Sequence, residues 1–368
     1  MKNFVDFIQF SYKNFVRKIF FAFDSEAIHE FMLDNGEFVG KVTPLKFIFN
    51  YKDKSLNQEI AGIKFASPIG LSAGFDYKAK LPNALPLLGF GFGSLGTITN
   101  KAYEGNPLPR LGRLVKTKSL MVNKGFKNEG IDKILKKVKN QKFSIPIGLS
   151  IGKTNESKMN QKEGMVDIVS AFKKAEKSKT NFSYYELNIS CPNLLGGVEF
   201  YSPKKLNDLL KAVIALKLKK PLFVKMPISK TNKEIDEMLK VITKFKVGAV
   251  IFGNLQKDRS DKSFVKSELA KFPIGNFSGI PTQKRSNELI HFAYKKYGKK
   301  IKIIGCGGVF NANDAYKKIK LGASLIQLIT GLVFEGPFLP AKINFDLKNL
   351  LEKDGYKSLQ DAVGSFNK

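Results

Sequence analysis

The sequence predicts a (β/α)8 TIM barrel, an α/β fold, preceded by a helical extension. Three observations predict it. Eight short β-rich apolar runs recur from residue 68 onward, each is followed by a longer stretch with helical periodicity, and polar residues gather where the runs end. Near-continuous apolar runs are typical of parallel strands buried on both faces. The length of 368 residues fits one such barrel with insertions.

The eight runs follow one another along the whole second part of the chain. They are PIGLSA (68–73), FGSLGTI (92–98), IPIGLSI (145–151), YYELNIS (184–190), PLFVKMP (221–227), GAVIFGN (248–254), IKIIGCGG (301–308) and LIQLITG (325–331). A doubly wound open sheet is the competing fold. It usually has fewer strands and a GxGxxG turn after the first strand, which is absent after PIGLSA, so the barrel is favoured.

The N-terminal region differs from the rest and divides the chain into residues 1–45, expected to be helical, and residues 46–368, expected to form the barrel domain. Apolar residues recur at helical spacing beside Lys and Arg, at Phe4, Ile8, Phe15, Ile19 and Phe23. Asp24 and Ser25 can cap a second helix through Ile28, Phe31 and Met32. The pair is either an amphipathic hairpin lying on a membrane surface or a cap packed on its own domain.

Composition excludes several kinds of site. The two cysteines are far apart without a CxxC pair, and there are only two histidines, so neither a disulfide framework, a metal site nor a Ser-His-Asp triad is expected. The formal charge of +30 favours anionic partners, but the lysines are scattered as in a compositional bias, and no nucleic-acid partner is expected. No apolar run is long enough to span a bilayer.

Two glycine-containing strand ends indicate a phosphate-bearing cofactor. Gly307-Gly308 and Thr330-Gly331 end the seventh and eighth runs, where barrels of this kind bind phosphate through backbone N–H groups. Lys225 ends the fifth run among apolar neighbours, and a lysine in a barrel mouth needs an anion or an electron-rich ring such as a flavin. The plain alternatives are a tight turn for the glycines and an exposed strand-end lysine.

The segment ELNISCPNLLGG (186–197) is the most informative motif. Asn188 and Asn193 offer amides that can bind a planar ring of alternating NH and C=O groups. Cys191 stands between them, and its thiol can act as a proton acceptor once its environment tunes its pKa. Pro192 and the following glycines suggest a rigid turn and a mobile lid. A buried structural cysteine is the alternative, which is preferred for Cys306 but not for Cys191.

At this motif the sequence resembles the dihydroorotate dehydrogenases, and the resemblance extends from about Phe23 to Pro337. The matching segments are AGFD (73–76), GFGSLGTIT (91–99), PRLGRL (109–114), NISCPN (188–193), FVKMP (223–227), SGIP (278–281), IIGCGG (303–308) and GASLIQLITGLVFEGP (322–337). The order and spacing of these segments are those of the family. The combination is far more specific than any one of them.

The resemblance implies FMN as cofactor, dihydroorotate as donor and orotate as product in pyrimidine biosynthesis, with Cys191 as the base. The residues it implies at FMN are Ala73, Gly74, Thr97, Ser150, Asn188, Lys225, Gly279, Gly308 and Thr330. Those it implies at the substrate are Asn123, Lys124, Gly125, Phe126, Asn188, Asn193 and Asn254. The helical extension with FDSEAIHEF resembles that of the class 2, quinone-reducing members, which implies a quinone partner and a peripheral place on the cytoplasmic side of the cell membrane.

Several positions depart from the class 2 pattern. Cys191 stands where class 2 members usually have serine and is typical of the soluble class 1, so the same reaction with fumarate or NAD as acceptor stays open. Ser150 and Gly253 replace a usual asparagine and threonine. Tyr77 replaces the usual lysine for the substrate carboxylate. We expect Lys124 in VNKGF to supply that cation, with Asn123 providing the amide missing at Val122, and Lys78 as the alternative.

Two other functions remain as alternatives. A flavin barrel resembling the tRNA-dihydrouridine synthases would also use a cysteine near a Cys-Pro turn, but that family usually adds a C-terminal helical domain, whereas this chain carries its extra helices in front. A binding protein that merely uses the barrel would have neither flavin nor turnover. The quinone type and the oligomeric state are not predicted.

Overall fold

The computed structural model describes residues 2–42 and 53–367. Its strands are β1 (Gln58–Ile60), β2 (Ile63–Phe65), β3 (Ile69–Leu71), β4 (Phe92–Ile98), β5 (Leu111–Leu114), β6 (Ser119–Val122), β7 (Ile147–Ile151), β8 (Tyr184–Asn188), β9 (Leu222–Lys225), β10 (Ala249–Phe252), β11 (Asn276–Phe277), β12 (Lys302–Cys306) and β13 (Leu325–Leu328). The predicted domain boundary between residues 45 and 46 lies outside the described ranges, so the two-part division of the chain stays a prediction.

The helices alternate with the strands through most of the chain. They are α1 (Lys2–Ser11), α2 (Arg17–Ala22), α3 (Ser25–Val42), α4 (Ile131–Val138), α5 (Gln161–Lys177), α6 (Pro203–Ile214), α7 (Asn232–Ile242), α8 (Lys266–Leu269), α9 (Ile280–Tyr297), α10 (Ala312–Leu321), α11 (Thr330–Glu335), α12 (Leu339–Lys353) and α13 (Leu359–Ala362). A π-helical turn, Tyr12–Val16, joins α1 to α2, and 3-10 turns lie at Lys54–Leu56, Leu85–Leu88 and Ser365–Asn367.

Eight strands close into a barrel in the order β3, β4, β7, β8, β9, β10, β12 and β13, with β13 pairing back to β3. Every neighbouring pair is parallel. Each of the eight predicted runs contains one of these strands, so the barrel prediction is confirmed and the open sheet is excluded. The runs are almost continuously apolar because the strands are covered by side chains inside the barrel and by helices outside it.

The interior of the barrel is packed rather than open. At the amino end of the strands, Phe65, Phe92, Tyr184 and Phe223 form an aromatic cluster, with the Tyr184 and Phe223 rings stacked 4.6 Å apart. Glu186, two residues further along β8, faces Ser150 on β7. The strands thus pass from an apolar plug to a polar level and then to the polar residues at their carboxyl ends. Only that last level is open to ligands, as in other barrels.

The loops at the carboxyl end of the barrel carry a small second sheet. It consists of β5, β6 and β11, with β5 and β11 both antiparallel to β6. The sequence analysis assigned no strands to these short segments. The pairing places Asn276 opposite Val122 and so brings the loop after β10 against the loop after β4.

The N-terminal helices pack on the barrel and also expose apolar side chains. Asp24 Oδ1 accepts hydrogen bonds from the backbone N–H groups of Glu26 and Ala27, which confirms the predicted cap of α3. Glu26 forms ion pairs with Arg110 and Lys127 on the barrel rim. The large apolar side chains of this region that stay exposed are Phe4, Phe7, Phe10, Phe15, Val16, Ile19, Phe23, Phe31, Phe38, Val39 and Val42.

Among the described residues, no helix is both long enough and apolar enough to cross a membrane.

Candidate active site

The residues at the carboxyl ends of the strands surround one cavity of about 500 Å³. All but two of the predicted site residues line it: Ala73, Gly74, Thr97, Lys124, Gly125, Phe126, Asn188, Cys191, Asn193, Lys225, Asn254, Gly279, Gly308 and Thr330. The exceptions are Ser150 and Asn123, which lie behind the lining residues. The cavity continues between the barrel and the N-terminal helices, where Tyr12, Phe20, Phe21, Ile28, His29 and Met32 line it.

A chain of hydrogen bonds fixes the Asn188 amide. Its Nδ2 donates to Thr97 Oγ1 (2.7 Å), and Thr97 Oγ1 lies 3.0 Å from Ser150 Oγ, which donates to Glu186 Oε1 (2.9 Å). Asn188 Oδ1 accepts from the Ser190 backbone N–H. Because Ser150 donates to a carboxylate, Thr97 must donate to Ser150 and accept from Asn188. Thr97 lines the cavity and Ser150 does not. Ser150 therefore acts on the cavity through its hydrogen bond with Thr97.

Lys225 is a buried cation at the mouth of the barrel. Its Nζ donates to Ser72 Oγ (2.8 Å) and to the Ala73 carbonyl oxygen (3.2 Å), neither of which carries a charge. Only 4% of Lys225 is accessible, which excludes the alternative that it is an exposed lysine at the end of a strand. A buried ammonium with neutral partners is stabilised by an anionic or electron-rich group in the cavity beside it.

Cys191 begins the loop that follows β8 and lines the cavity. Burial raises the pKa of its thiol to about 12, while the backbone N–H of Asn193 and the charge of Lys225 act in the opposite direction. Cys306 also lines the cavity, with its Sγ 3.6 Å from Ser72 Oγ, so the interpretation of Cys306 as a wholly structural core residue is too narrow. Both cysteines are free thiols.

Asparagines from several loops hold the Cys191 loop in place. Asn106 Nδ2 donates to the carbonyl oxygen of Asn193 (3.0 Å) and to Asn123 Oδ1 (3.0 Å). Asn276 Nδ2 donates to Asn193 Oδ1 (2.5 Å), and Asn155 Oδ1 accepts from the Leu195 backbone N–H (2.6 Å). The Asn193 amide is thus fixed from two sides, since its Nδ2 donates to the Val122 carbonyl oxygen.

Asn254 also contacts this loop. Its Nδ2 donates to Ser190 Oγ at 2.5 Å. Sequence reasoning missed Asn106, Asn155 and Asn276, because the first two lie in loops, the third begins the two-residue strand β11, and none belongs to a motif. Asn123 accepts from Asn106 and is not among the residues that line the cavity, and its contact with substrate stays a prediction.

Three loops bring small residues together on the side of the barrel where β12 and β13 end. Gly307 and Gly308 both have positive φ, and a Cβ on them would lie 2.7 Å from Thr282 Oγ1 and 2.3 Å from Gln283 Cβ. Thr330 Oγ1 lies 2.7 Å from Ser278 Oγ, next to Gly279 at the start of α9. Only glycine fits this loop, and the backbone can therefore approach a ligand closely. The concave surface fits a phosphate group.

Lys124 and Tyr77 lie together at the junction of the barrel and α3. Lys124 Nζ is 2.8 Å from His29 Nδ1 and 3.2 Å from Tyr77 Oη. Burial, opposed by Glu26 and Glu30, lowers the pKa of Lys124 to about 7. Tyr77 donates to Glu30 Oε1, and Lys78 pairs with Glu30 Oε2 at 2.6 Å. Lys124 lines the cavity, whereas Lys78 pairs with Glu30 of α3 and is not among the lining residues.

The helix end of the cavity is mostly apolar but contains two basic residues that the sequence analysis did not select. His29 Nε2 donates to the Phe75 carbonyl oxygen (2.9 Å), which leaves Nδ1 to accept from Lys124. Burial is the main cause that lowers the pKa of His29 to about 3, so the ring is neutral. Arg113 lines the same end and donates to the Phe23 carbonyl oxygen. A histidine on an otherwise apolar helix face was the available signal.

In the described part of the chain, no three His, Cys, Asp or Glu side chains gather in a way that could hold a metal ion.

Comparisons with known proteins agree on one family. Residues 55–351 match the family model described as dihydroorotate dehydrogenase. A protein of Christiangramia forsetii named dihydroorotate dehydrogenase (quinone) is 36% identical over 350 residues, which cover 93% of this chain and 99% of that protein. One of the same name from Gloeobacter violaceus is 34% identical over 87% of this chain and 88% of its own. The ligand-free DHODH structure from Eimeria tenella matches with a TM-score of 0.83 and 26% identity, covering 93% of this chain and 99% of that one.

Proposed function

The chain belongs to the dihydroorotate dehydrogenase family, and we propose that it oxidises dihydroorotate to orotate in pyrimidine biosynthesis and delivers the electrons through a flavin to a quinone. The observation that carries this proposal is the single cavity. It joins Cys191, Asn188 and Lys225 at the strand ends to an apolar passage between the barrel and the N-terminal helices. A polar substrate and an apolar acceptor can therefore reach two ends of one site.

Family membership implies a flavin, and we propose that it is FMN. The glycine-lined surface formed by Gly279, Gly308 and Thr330 would hold the phosphate, and Ala73, Gly74, Thr97 and Asn188 would contact the ring system. FMN bound there would supply the acceptor for a hydride and the donor for the quinone. Lys225 would favour the negative charge of a reduced ring, because it is buried and donates to two uncharged acceptors, Ser72 Oγ and the Ala73 carbonyl oxygen.

Side chains of this protein would remove the substrate proton and orient the pyrimidine ring. Dihydroorotate loses a proton from C5 and a hydride from C6, and the C5=C6 double bond of orotate forms. We propose that the Cys191 thiolate takes the C5 proton, and that Asn193 and Asn254 orient the pyrimidine ring. Asn106 and Asn276 hold Asn193 so that its amide need not reorganise on binding, which lowers the cost of recognition. The loop after Cys191 would act as the predicted lid.

Quinone is the acceptor named in the relatives, and the passage between the helices suits an apolar ring. Tyr12, Phe20, Phe21 and Ile28 offer apolar surface there. Arg113 offers N–H groups to a quinone oxygen, and the neutral His29 ring, held by Phe75 and Lys124, adds a further planar surface. Fumarate and NAD are strongly polar or charged and fit this passage poorly, although Cys191 is the base that the resemblance associates with class 1.

One experiment tests the proposed function. The purified protein is expected to be yellow, and its flavin absorbance should bleach on anaerobic addition of dihydroorotate. A ubiquinone or menaquinone analogue should then restore the absorbance faster than fumarate or NAD does. A flavin that stays oxidised in the presence of dihydroorotate would exclude the proposal. Faster recovery with fumarate or NAD would exclude the quinone assignment alone.

We propose further that the protein lies on the cytoplasmic side of the cell membrane as a peripheral protein, with its N-terminal helices in the interface. Phe7, Phe10 and Ile19 are each at least 60% exposed, and Lys18 is exposed beside them. Exposed aromatic side chains together with lysine are typical of helices that bind the lipid interface. The passage to the cavity lies between these same helices, so a quinone dissolved in lipid would enter directly.

Replacing Phe7, Phe10 and Ile19 together by serine should weaken binding to lipid vesicles. Each large apolar side chain contributes about 1.5–3 kcal/mol when fully buried, so the triple variant should lose at least tenfold in affinity. Cosedimentation with vesicles of neutral and anionic lipid measures this loss. Phe366→Ser, which removes a phenylalanine that is 52% exposed and far from the N-terminus in sequence, is the control. Equal binding by the wild type and the triple variant would contradict the membrane proposal.

A further inference from the structure

Lys318 is a fully buried lysine that the reaction above does not use. It lies on α10, behind β12, and none of its surface is accessible. Its Nζ donates to Ser286 Oγ (2.9 Å) and Asn287 Oδ1 (2.8 Å), both on α9 and both uncharged. A buried ammonium with neutral hydrogen-bond partners costs free energy, so its presence requires an explanation.

The contacts of Lys318 lead directly to the glycine loop. Ser286 Oγ, which accepts from Lys318, donates to the carbonyl oxygen of Cys306 at 2.6 Å. Cys306 immediately precedes Gly307 and Gly308. The stem of Lys318 also packs against β12, because a Cβ at Gly305 would be 3.2 Å from Lys318 Cδ. Through Ser286, Lys318 therefore fixes the carbonyl group of Cys306, the last residue before the two glycines, from the side that faces α9.

A second contact holds the far end of the same loop. Gln283 Nε2 donates to the Gly308 carbonyl oxygen (2.5 Å) and to Asp314 Oδ1 (3.0 Å). Asp314 Oδ2 accepts from the backbone N–H of Phe310 (3.0 Å). The carbonyl oxygens of Cys306 and Gly308 thus both point toward α9, and away from a ligand bound on the cavity side of the loop. Burial lowers the pKa of Lys318 to about 7, whereas Cys306 and Asp314 act in the opposite direction, and the oxygens of Asp314 are occupied by these other donors.

We propose that Lys318 is a positioning residue for the phosphate of the flavin cofactor, acting through Ser286 on the Cys306 peptide and adding positive charge behind the loop. This inference rests on the proposal that the cofactor is FMN. Gly307 and Gly308 both have positive φ. If the adjoining Cys306 peptide were not fixed, this loop would sample more conformations before binding, and ordering it on binding would cost more entropy. A cation excluded from water also acts on a phosphate at longer range than an exposed one.

The test compares FMN with riboflavin, which lacks the phosphate. Apoprotein is titrated with each flavin, and the quenching of flavin fluorescence gives the two dissociation constants. Lys318→Met should lower the preference for FMN over riboflavin on the order of tenfold, while riboflavin affinity stays nearly unchanged. A merely structural role would weaken both flavins equally. Lys317→Met is the matched control, since it removes one charge from the exposed side of the same helix.

Ser286→Ala tests the same connection with a smaller change. It removes the hydroxyl between Lys318 and the Cys306 carbonyl and should also lower the FMN preference. If Lys318→Met does not fold, the FMN preference of Ser286→Ala is by itself the test of the inference. An unchanged preference in a folded variant of either kind would overturn the inference. If the wild type binds neither flavin, or both equally, the FMN proposal itself fails, and the two failures are therefore distinguishable.

Discussion

Cys191→Ala should abolish most dihydroorotate oxidation while leaving the flavin bound. General-base catalysis contributes typically 10²–10⁴-fold, and the variant should lose kcat by about that factor. Cys191 lines the cavity together with Asn188 and Asn193, which we assign to substrate contact, and it is the residue to which we assign the C5 proton. Stopped-flow measurement of flavin bleaching gives the rate of the chemical step. Flavin content and orotate binding serve as controls that the site is intact.

The pKa of Cys191 also predicts how the rate of flavin reduction depends on pH. Burial raises the pKa of the Cys191 thiol to about 12, so the reactive thiolate is a minor species at neutral pH. The rate of flavin reduction should therefore increase with pH, close to tenfold per unit, until another step limits it. Cys191→Ser should be slower than the wild type at every pH below this limit, because a hydroxyl is harder to deprotonate than a thiol. At saturating dihydroorotate, a rate that falls with rising pH between 7 and 9 would contradict the role of base.

The barrel could be predicted almost completely because its signal is repeated eight times. Each run needs two buried faces, and this requirement leaves little choice of residue type. Seven of the eight barrel strands are shorter than the predicted runs, and β4 alone among them covers its whole run. β3 covers only Ile69–Leu71 of PIGLSA, since Pro68 has no N–H to donate and the residues after Leu71 already form the site. The strands β5, β6 and β11 were missed because segments of two to four residues have no measurable periodicity.

The site was predictable wherever a functional residue ends a strand. Asn188, Lys225 and Gly308 follow directly from the barrel geometry, because all carboxyl ends meet on one face. Asn106, Asn155 and Asn276 were not predictable, since their contacts with the Cys191 loop depend on loop paths that no local pattern records. The sequence also could not place Ser150 behind Thr97, because that depends on how far each residue lies along a tilted strand.

The two lysines near Tyr77 illustrate the same limit. Lys78 and Lys124 were both candidates for the substrate carboxylate, and sequence alone offers no reason to choose. In the structure Lys78 is paired with Glu30, whereas Lys124 is buried on the cavity wall with His29 and Tyr77 as neutral partners. An anionic substrate would complete the environment of Lys124 but would compete with Glu30 for Lys78. These contacts support Lys124 as the cation for the carboxylate.

Lys124→Ala should therefore raise the KM for dihydroorotate with a smaller effect on kcat. Losing one partner of a buried charge pair costs about 2 kcal/mol or more, which corresponds to an increase in KM of roughly 30-fold or above. Lys78→Ala is the matched control and should change the KM little, because its ammonium is partly exposed and already paired. A sharp rise for Lys78→Ala together with an unchanged KM for Lys124→Ala would reverse the assignment.

The pH dependence of KM separates a charge effect from a packing effect. Burial is the largest cause that lowers the pKa of Lys124 to about 7, and the groups around it are His29, Tyr77, Glu26, Glu30, Lys127 and Arg110. Below pH 7 the free protein carries the ammonium and binds the carboxylate. Above pH 7 it loses that charge, so the KM of the wild type should rise. In Lys124→Ala the KM should be high at all pH values and lose this dependence, because no titrating cation remains to pair with the substrate.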